Sequence, residues 1–115
     1  MILHITSRTD WHAARLRGDY RAPSLESEGF IHSSTAKQVL HVANAFYRGK
    51  KDLVLLVIDE TLLLPEVKWE APAGPPAKGI SQRDEFPHIY GPLNREAIVE
   101  IRPARRAPDG TFVEV

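Results

Sequence analysis

Six consecutive apolar residues, Leu53-Val54-Leu55-Leu56-Val57-Ile58, constrain this chain more than any other stretch. An unbroken run of branched aliphatic side chains predicts a strand covered on both faces. It is far too short to cross a bilayer, so the rest of the chain has to supply apolar surface on either side of it. The 115 residues suffice for one domain (residues 1–115) that buries roughly two-thirds of its unfolded surface.

Other periodicities predict what surrounds that strand. Ile2, Leu3 and Ile5 form a first strand interrupted by His4, and Ser7, Thr9 or Asp10 caps a helix reaching Arg17, ended by Gly18. Tyr20 to Ala22 reads as extended, and Pro23-Ser24 opens a short helical turn. Phe30 and Ile31 read as a short buried strand behind Gly29. A helix from about Thr35 to Tyr47 follows, capped by Ser34 or Thr35 and closed by Gly49. Val67 and Trp69 alternate with Lys68 and Glu70 on a further strand. Residues 71–79 are rich in Pro, Gly and Ala and form a loop of the length that often covers a site. A Pro-flanked aromatic segment, Phe86 to Leu93, precedes a strand over Ala97–Arg102, a turn at Asp109-Gly110 and a last strand over Thr111–Val115. Strand and helix alternate twice and strands alone follow, so the class is α+β.

Composition narrows the partners. Hydrophobic residues make up 43% of the chain and the formal net charge is zero, which gives no global pull toward nucleic acid or an anionic membrane. Nucleic acid is thereby disfavoured but not excluded, since Arg102, Arg105 and Arg106 cluster; such a run reads first as solvated surface. With no cysteine there is no disulfide framework, thiolate nucleophile or Cys-type zinc site. Met1 leads straight into strand-like sequence, with no basic or long apolar leader, so a cytoplasmic location is expected.

Five histidines carry most of the chemical content. His12 and His41 fall inside predicted helices and read as surface or packing residues. His4 lies between Leu3 and Ile5, so it faces the opposite side of the sheet from them. His32 stands where a strand ends, followed by the hydroxyls of Ser33 and Ser34 beside a helix start, a natural place for an anionic ligand. His88 sits in the Pro-flanked segment. Burying imidazoles costs on the order of a few kcal/mol unless each is hydrogen-bonded. His4 and His32 are therefore expected to converge on one concave pocket, with His88 or Tyr90 at its rim. Glu70 is the carboxylate that follows Trp69 on a strand with an apolar opposite face. A zinc site of His4, His32 and His88 would make a metal-dependent hydrolase, yet no pair has the short spacing of zinc motifs, and no metal is expected. Nucleophile-elbow, dinucleotide and P-loop signatures are all missing from the chain.

Several segments together resemble the small bacterial family known as domain of unknown function 952. They are His4-Ile5 with Trp11, Gly18-Asp19-Tyr20, Ser24 through Ser34, Val42-Ala43-Asn44, Phe46-Tyr47, Asp52 through Leu56, Trp69-Glu70 and Phe86 through Asn94. More distantly the chain resembles the ADP-ribosyltransferase fold, in its rifamycin-modifying and RNA 2′-phosphotransferase branches. His4-Ile5-Thr6 is similar to their His-Gly-Thr, with Ile5 in place of the glycine, and Ile31-His32-Ser33-Ser34 is similar to their second strand. Glu70 matches a later acidic position by order.

That resemblance implies a split, bent antiparallel sheet with flanking helices, and an NAD-using ADP-ribosyl transfer or a related reaction at a ribose or phosphate of a nucleotide. It implies that His4 binds ribose, that His32 lines the nicotinamide pocket and that Glu70 steadies the developing cation. Trp69 and Tyr90 would wall the ligand, with Ser33, Ser34 and His88 also contacting it. The alternative is a non-catalytic module that binds a nucleotide or small metabolite in the same cleft.

Overall fold

Leu53–Ile58 is the middle strand of a three-stranded antiparallel sheet, and all six of its residues are buried. This is seen in a computed structural model, which describes residues 1–114. The chain runs through β1 (Ile2–Ser7), α1 (Arg8–Arg17), β2 (Asp19–Tyr20), α2 (Pro23–Ser27), β3 (Ile31–His32) and α3 (Val39–Phe46). Then come β4 (Leu53–Ile58), β5 (Glu66–Glu70), β6 (Phe86–Tyr90), β7 (Leu93–Asn94), β8 (Ile98–Pro103), β9 (Arg105–Arg106) and β10 (Phe112–Glu114), with 3-10 turns at Glu60–Leu62 and Arg95–Ala97.

The first sheet has the order β1-β4-β8, all antiparallel, with His4 opposite Leu56 and Leu55 opposite Arg102. Its two faces feed two cores. Val54, Leu56 and Ile58 pack with Ile2, Tyr20, Ile31, Ile89 and Leu93. Leu53, Leu55 and Val57 pack with Leu3, Ile5, Val39, Ala43 and Phe112. Continuous apolar sequence is thus explained by apolar cover on both sides. The alternation in β1 behaves as its sequence predicts, with Leu3 and Ile5 in one core and His4 beside Tyr20 on the other side.

A second antiparallel sheet has the order β3-β6-β5. Ile31 stands opposite Ile89 and His32 opposite His88, while Lys68 stands opposite His88 across the other neighbour. Successive residues point to opposite faces. One face carries Ile31, Pro87, Ile89, Val67 and Trp69; the other carries Phe30, His32, Phe86, His88, Tyr90, Lys68 and Glu70. The two sheets meet at a single bridge, where Leu3 and Ser34 exchange two backbone hydrogen bonds of 2.8 Å each. Two short ladders, β2 with β7 and β9 with β10, complete one compact α+β domain.

Several boundaries differ from the sequence expectation. The bridge keeps the chain extended through Ser34, so helix α3 becomes regular only at Val39. Thr35 and Gln38 form a reciprocal capping box ahead of it, the Thr35 N–H donating to Gln38 Oε1 and the Gln38 N–H to Thr35 Oγ1. Gly49 does not close this helix; Tyr47 does. The Arg106 guanidinium then takes up the carbonyls of Tyr47, Arg48 and Lys50 and stacks on Phe112. Asn44 sews α3 to β10 through two bonds to the Phe112 backbone. The Pro-flanked aromatic segment is the central strand β6, where a proline is unusual. Pro87 is tolerated because β3 pairs only with His88 and Ile89, so no ladder bond is needed at that nitrogen. Ser7 is the cap of α1, and Gly18 ends it with φ 101°. The final strand is Phe112–Glu114, and Val115 lies outside the described residues.

Candidate functional site

The polar face of the second sheet does not meet the core. It looks onto a hollow of ≈ 330 Å³, with Val42, Phe46 and Tyr47 from α3 and its end on one side and Pro72–Ala77 on the other. The Pro-, Gly- and Ala-rich loop therefore forms one wall of a hollow. Its far end rests on α3. The Gln38 amide donates to the Glu85 carbonyl at 2.8 Å, and Gly79, with φ +90°, lies so close to the His41 ring that a side chain there would collide.

His88 is the centre of the arrangement. Its side chain is only 4% exposed, and Nδ1 lies 2.8 Å from Glu70 Oε1. Tyr90 donates its hydroxyl to the same carboxylate oxygen at 2.5 Å. These two bonds, Tyr90's before His88's, hold the Glu70 carboxyl below the usual carboxylate range, and the same contact pushes the Tyr90 hydroxyl up. Phe30 stacks on the imidazole at 4.0 Å and 20°, fixing the ring plane. With Nδ1–H given to a carboxylate, the tautomer of the neutral ring is set, with its lone pair on Nε2. Every shielded side-chain nitrogen and oxygen among the described residues has a partner. Nε2 of His88 has none, so it is the ring atom open to the hollow.

His32 lies directly across the ladder, its ring 5.6 Å from that of His88 in edge-to-face contact. Nε2 of His32 pairs with Glu28 Oε2 at 3.0 Å, four residues earlier, on an exposed rim. Two imidazole–carboxylate pairs thus adjoin, one buried and one wet. Ser33 also lines the hollow, but its hydroxyl hydrogen is given to the Pro87 carbonyl, which leaves Oγ only as an acceptor toward a ligand. Ser34 is buried, lines the hollow and has no side-chain partner among the described residues. Trp69 sits on the opposite sheet face, 43% exposed, away from the hollow.

His4 is placed differently. It does share a second hollow with His32, of ≈ 270 Å³, lined also by Thr6, Asp10, Tyr20, Tyr47 and Lys50. Both its ring nitrogens are engaged, however. Nδ1 donates to the His32 carbonyl, and Nε2 lies 2.8 Å from the Tyr20 hydroxyl, which is itself 2.8 Å from Thr6 Oγ1. Burial lowers the His4 pKa to about 4 and raises that of Tyr20 to about 12, so both stay neutral near pH 7. His4 therefore supports His32 from beneath, and it has no nitrogen left to be a third ligand beside His32 and His88. Among the described residues no three His, Asp or Glu side chains are grouped to hold a metal ion.

Glu28 and Phe30 are site residues that the sequence reading did not single out. Their signals were the four-residue step from Glu28 to His32 and the alternation Phe30-x-His32, mirrored in His88-x-Tyr90.

These features define a class: a small α+β protein whose two antiparallel sheets join at one bridge, beside a histidine-lined hollow. The model of the family described as protein of unknown function (DUF952) matches residues 5–101, and the chain belongs to that family. It is similar to protein CC0527 from Caulobacter crescentus. The crystal structure of that protein is 31% identical, with TM-score 0.82, over 97% of this chain and 92% of that one. Its solution NMR structure gives 31% identity and TM-score 0.76 over 96% and 90%. No curated protein matches the chain. None of the described helices is long and apolar enough to cross a membrane.

Proposed function

We propose that this protein is an enzyme acting on a nucleotide-like small molecule, at its ribose or phosphate, with His88 and His32 as the working groups. One observation carries the reading: a buried imidazole, locked in tautomer and plane by Glu70, Tyr90 and Phe30, whose one unpartnered nitrogen opens onto a cavity. A merely structural histidine has both nitrogens satisfied, as His4 does. An oriented imidazole with one nitrogen free is what general-base chemistry uses. The cavity walls suit a planar, weakly polar group, since Phe46, Phe86 and the prolines offer apolar contact and Ser34 one hydroxyl.

NAD-using ADP-ribosyl transfer on an ADP-ribosyltransferase-like scaffold is the version that the sequence resemblance implies. In it His32 would contact the nicotinamide and the Glu70–His88 pair would activate the acceptor, with His4 as support for His32. The test is titration with NAD, AMP and adenosine, observing histidine ring signals and following nicotinamide release. Saturable shifts at His32 and His88 are expected. No shift with any of the three at millimolar concentration would contradict the nucleotide reading. Shifts without any product would favour the non-catalytic binding module.

A further inference from the structure

Resting on the nucleotide reading, we infer that the reaction at this site is hydrolysis of a small cyclic phosphodiester, with His88 as general base and His32 as general acid. Three observations point there. First, the two imidazoles are not equivalent. His88 is buried with Nδ1–H committed to Glu70, so Nε2 is a proton acceptor. His32 is about half exposed, its side chain at 43%, with Nε2 3.0 Å from Glu28 Oε2; in its protonated form that contact takes Nε2–H and leaves Nδ1–H as a donor. One acceptor and one donor, on rings in edge contact, is the complement that a displacement at phosphorus needs.

Second, the charge inventory selects the substrate. No lysine or arginine is among the residues lining the ≈ 330 Å³ hollow, while Glu28 stands at its rim. With Glu28 and Glu70 already paired to the two imidazoles, a lining without lysine or arginine favours the phosphate ester of lowest charge. A diester carries one negative charge where a monoester carries about two near neutral pH. Third, the cavity is sized for one nucleotide and is walled on one side by the 72–77 segment, which favours a free small molecule over a polymer.

The step balances without a cofactor. His88 Nε2 takes a proton from water as the water oxygen bonds to phosphorus. The bond from phosphorus to one ribose oxygen breaks, and His32 Nδ1–H protonates that oxygen. A 2′,3′-cyclic nucleotide becomes a nucleoside monophosphate, His88 is left as imidazolium and His32 neutral, and a proton returns through solvent. The product has gained a negative charge beside Glu28, which promotes its release.

The experiment uses the full chain with 2′,3′-cyclic adenosine monophosphate in heavy-oxygen water, followed by phosphorus NMR. Conversion to the monophosphate with one heavy oxygen per phosphate is expected. His88→Ala and His32→Ala should each lower the rate by about 100-fold or more, and free imidazole should partly restore the His32→Ala variant. His12→Ala, far from the hollow, should stay within about twofold. Because the buried His88→Ala change could unfold the chain, Glu70→Gln is measured too. It keeps the volume but loses the carboxylate, and should cost about tenfold in rate or more. Cyclic nucleotide that shifts the His32 and His88 ring signals yet is never hydrolysed overturns this inference and leaves the nucleotide reading standing. No shift and no hydrolysis overturns both. Hydrolysis insensitive to His88→Ala and His32→Ala also overturns it.

Discussion

Two histidine clusters lie on either side of His32 in this molecule and solve opposite problems. Around His4, an imidazole, a phenol and a threonine hydroxyl close on one another and on the His32 carbonyl. Around His88, an imidazole, a phenol and a carboxylate also hydrogen-bond, but the chain of bonds stops with a nitrogen facing a cavity. The residue types are nearly the same. What differs is whether the last polar atom is satisfied by protein or left for something else. A closed polar cluster fixes packing, while an open one beside a hollow is a place for a ligand.

The largest expected effect breaks the closed cluster. His4→Ala leaves the His32 carbonyl and the Tyr20 hydroxyl short of a partner and opens a cavity, so unfolding free energy should fall by about 3–4 kcal/mol in urea titration. His88→Ala, by contrast, should show its main effect in turnover of the cyclic nucleotide, lowered by about 100-fold or more.

The same cluster makes stability depend on pH. The folded His4 pKa is lowered from 6.5 to about 4, so between those values the unfolded chain binds a proton that the native chain does not. Its contribution is complete above pH 6.5 and is lost as the pH falls toward 4, by about 3 kcal/mol in all. Unfolding curves across that range should show the loss, and His4→Gln should flatten it.

The open cluster is probed more gently. Tyr90→Phe removes the first cause of the lowered Glu70 pKa, so the Glu70 carboxyl should titrate at higher pH in carbon NMR. The sign follows from linkage: the group supports the fold above its unfolded pKa, and that support fades as pH falls through the lowered folded value. The smallest effect belongs to Trp69→Ala. On the far sheet face, it should leave ligand affinity within about twofold.

Much of the framework was legible because it rests on periodicity. The β4 run announced a doubly covered strand, and alternation in β1 and β5 assigned His4 and Glu70 to their faces. The family was legible from motifs that span most of the chain. Closure was not. Nothing local to His4 tells that Tyr20 and a carbonyl 28 residues away fill both its nitrogens. Nor does the sequence show that Ser33 donates its hydroxyl to Pro87, 54 residues on, or that β6 is a central strand despite its proline. Satisfaction of polar atoms is a property of tertiary contacts, and sequence patterns report only which face a side chain takes.

The most direct test follows the imidazole nitrogen signals of the intact protein by NMR while 2′,3′-cyclic adenosine monophosphate is added. The account predicts that the rings of His88 and His32 shift saturably and that the ring nitrogens of His4 stay where they are. Saturable shifts at His4 without any at His88 would contradict it.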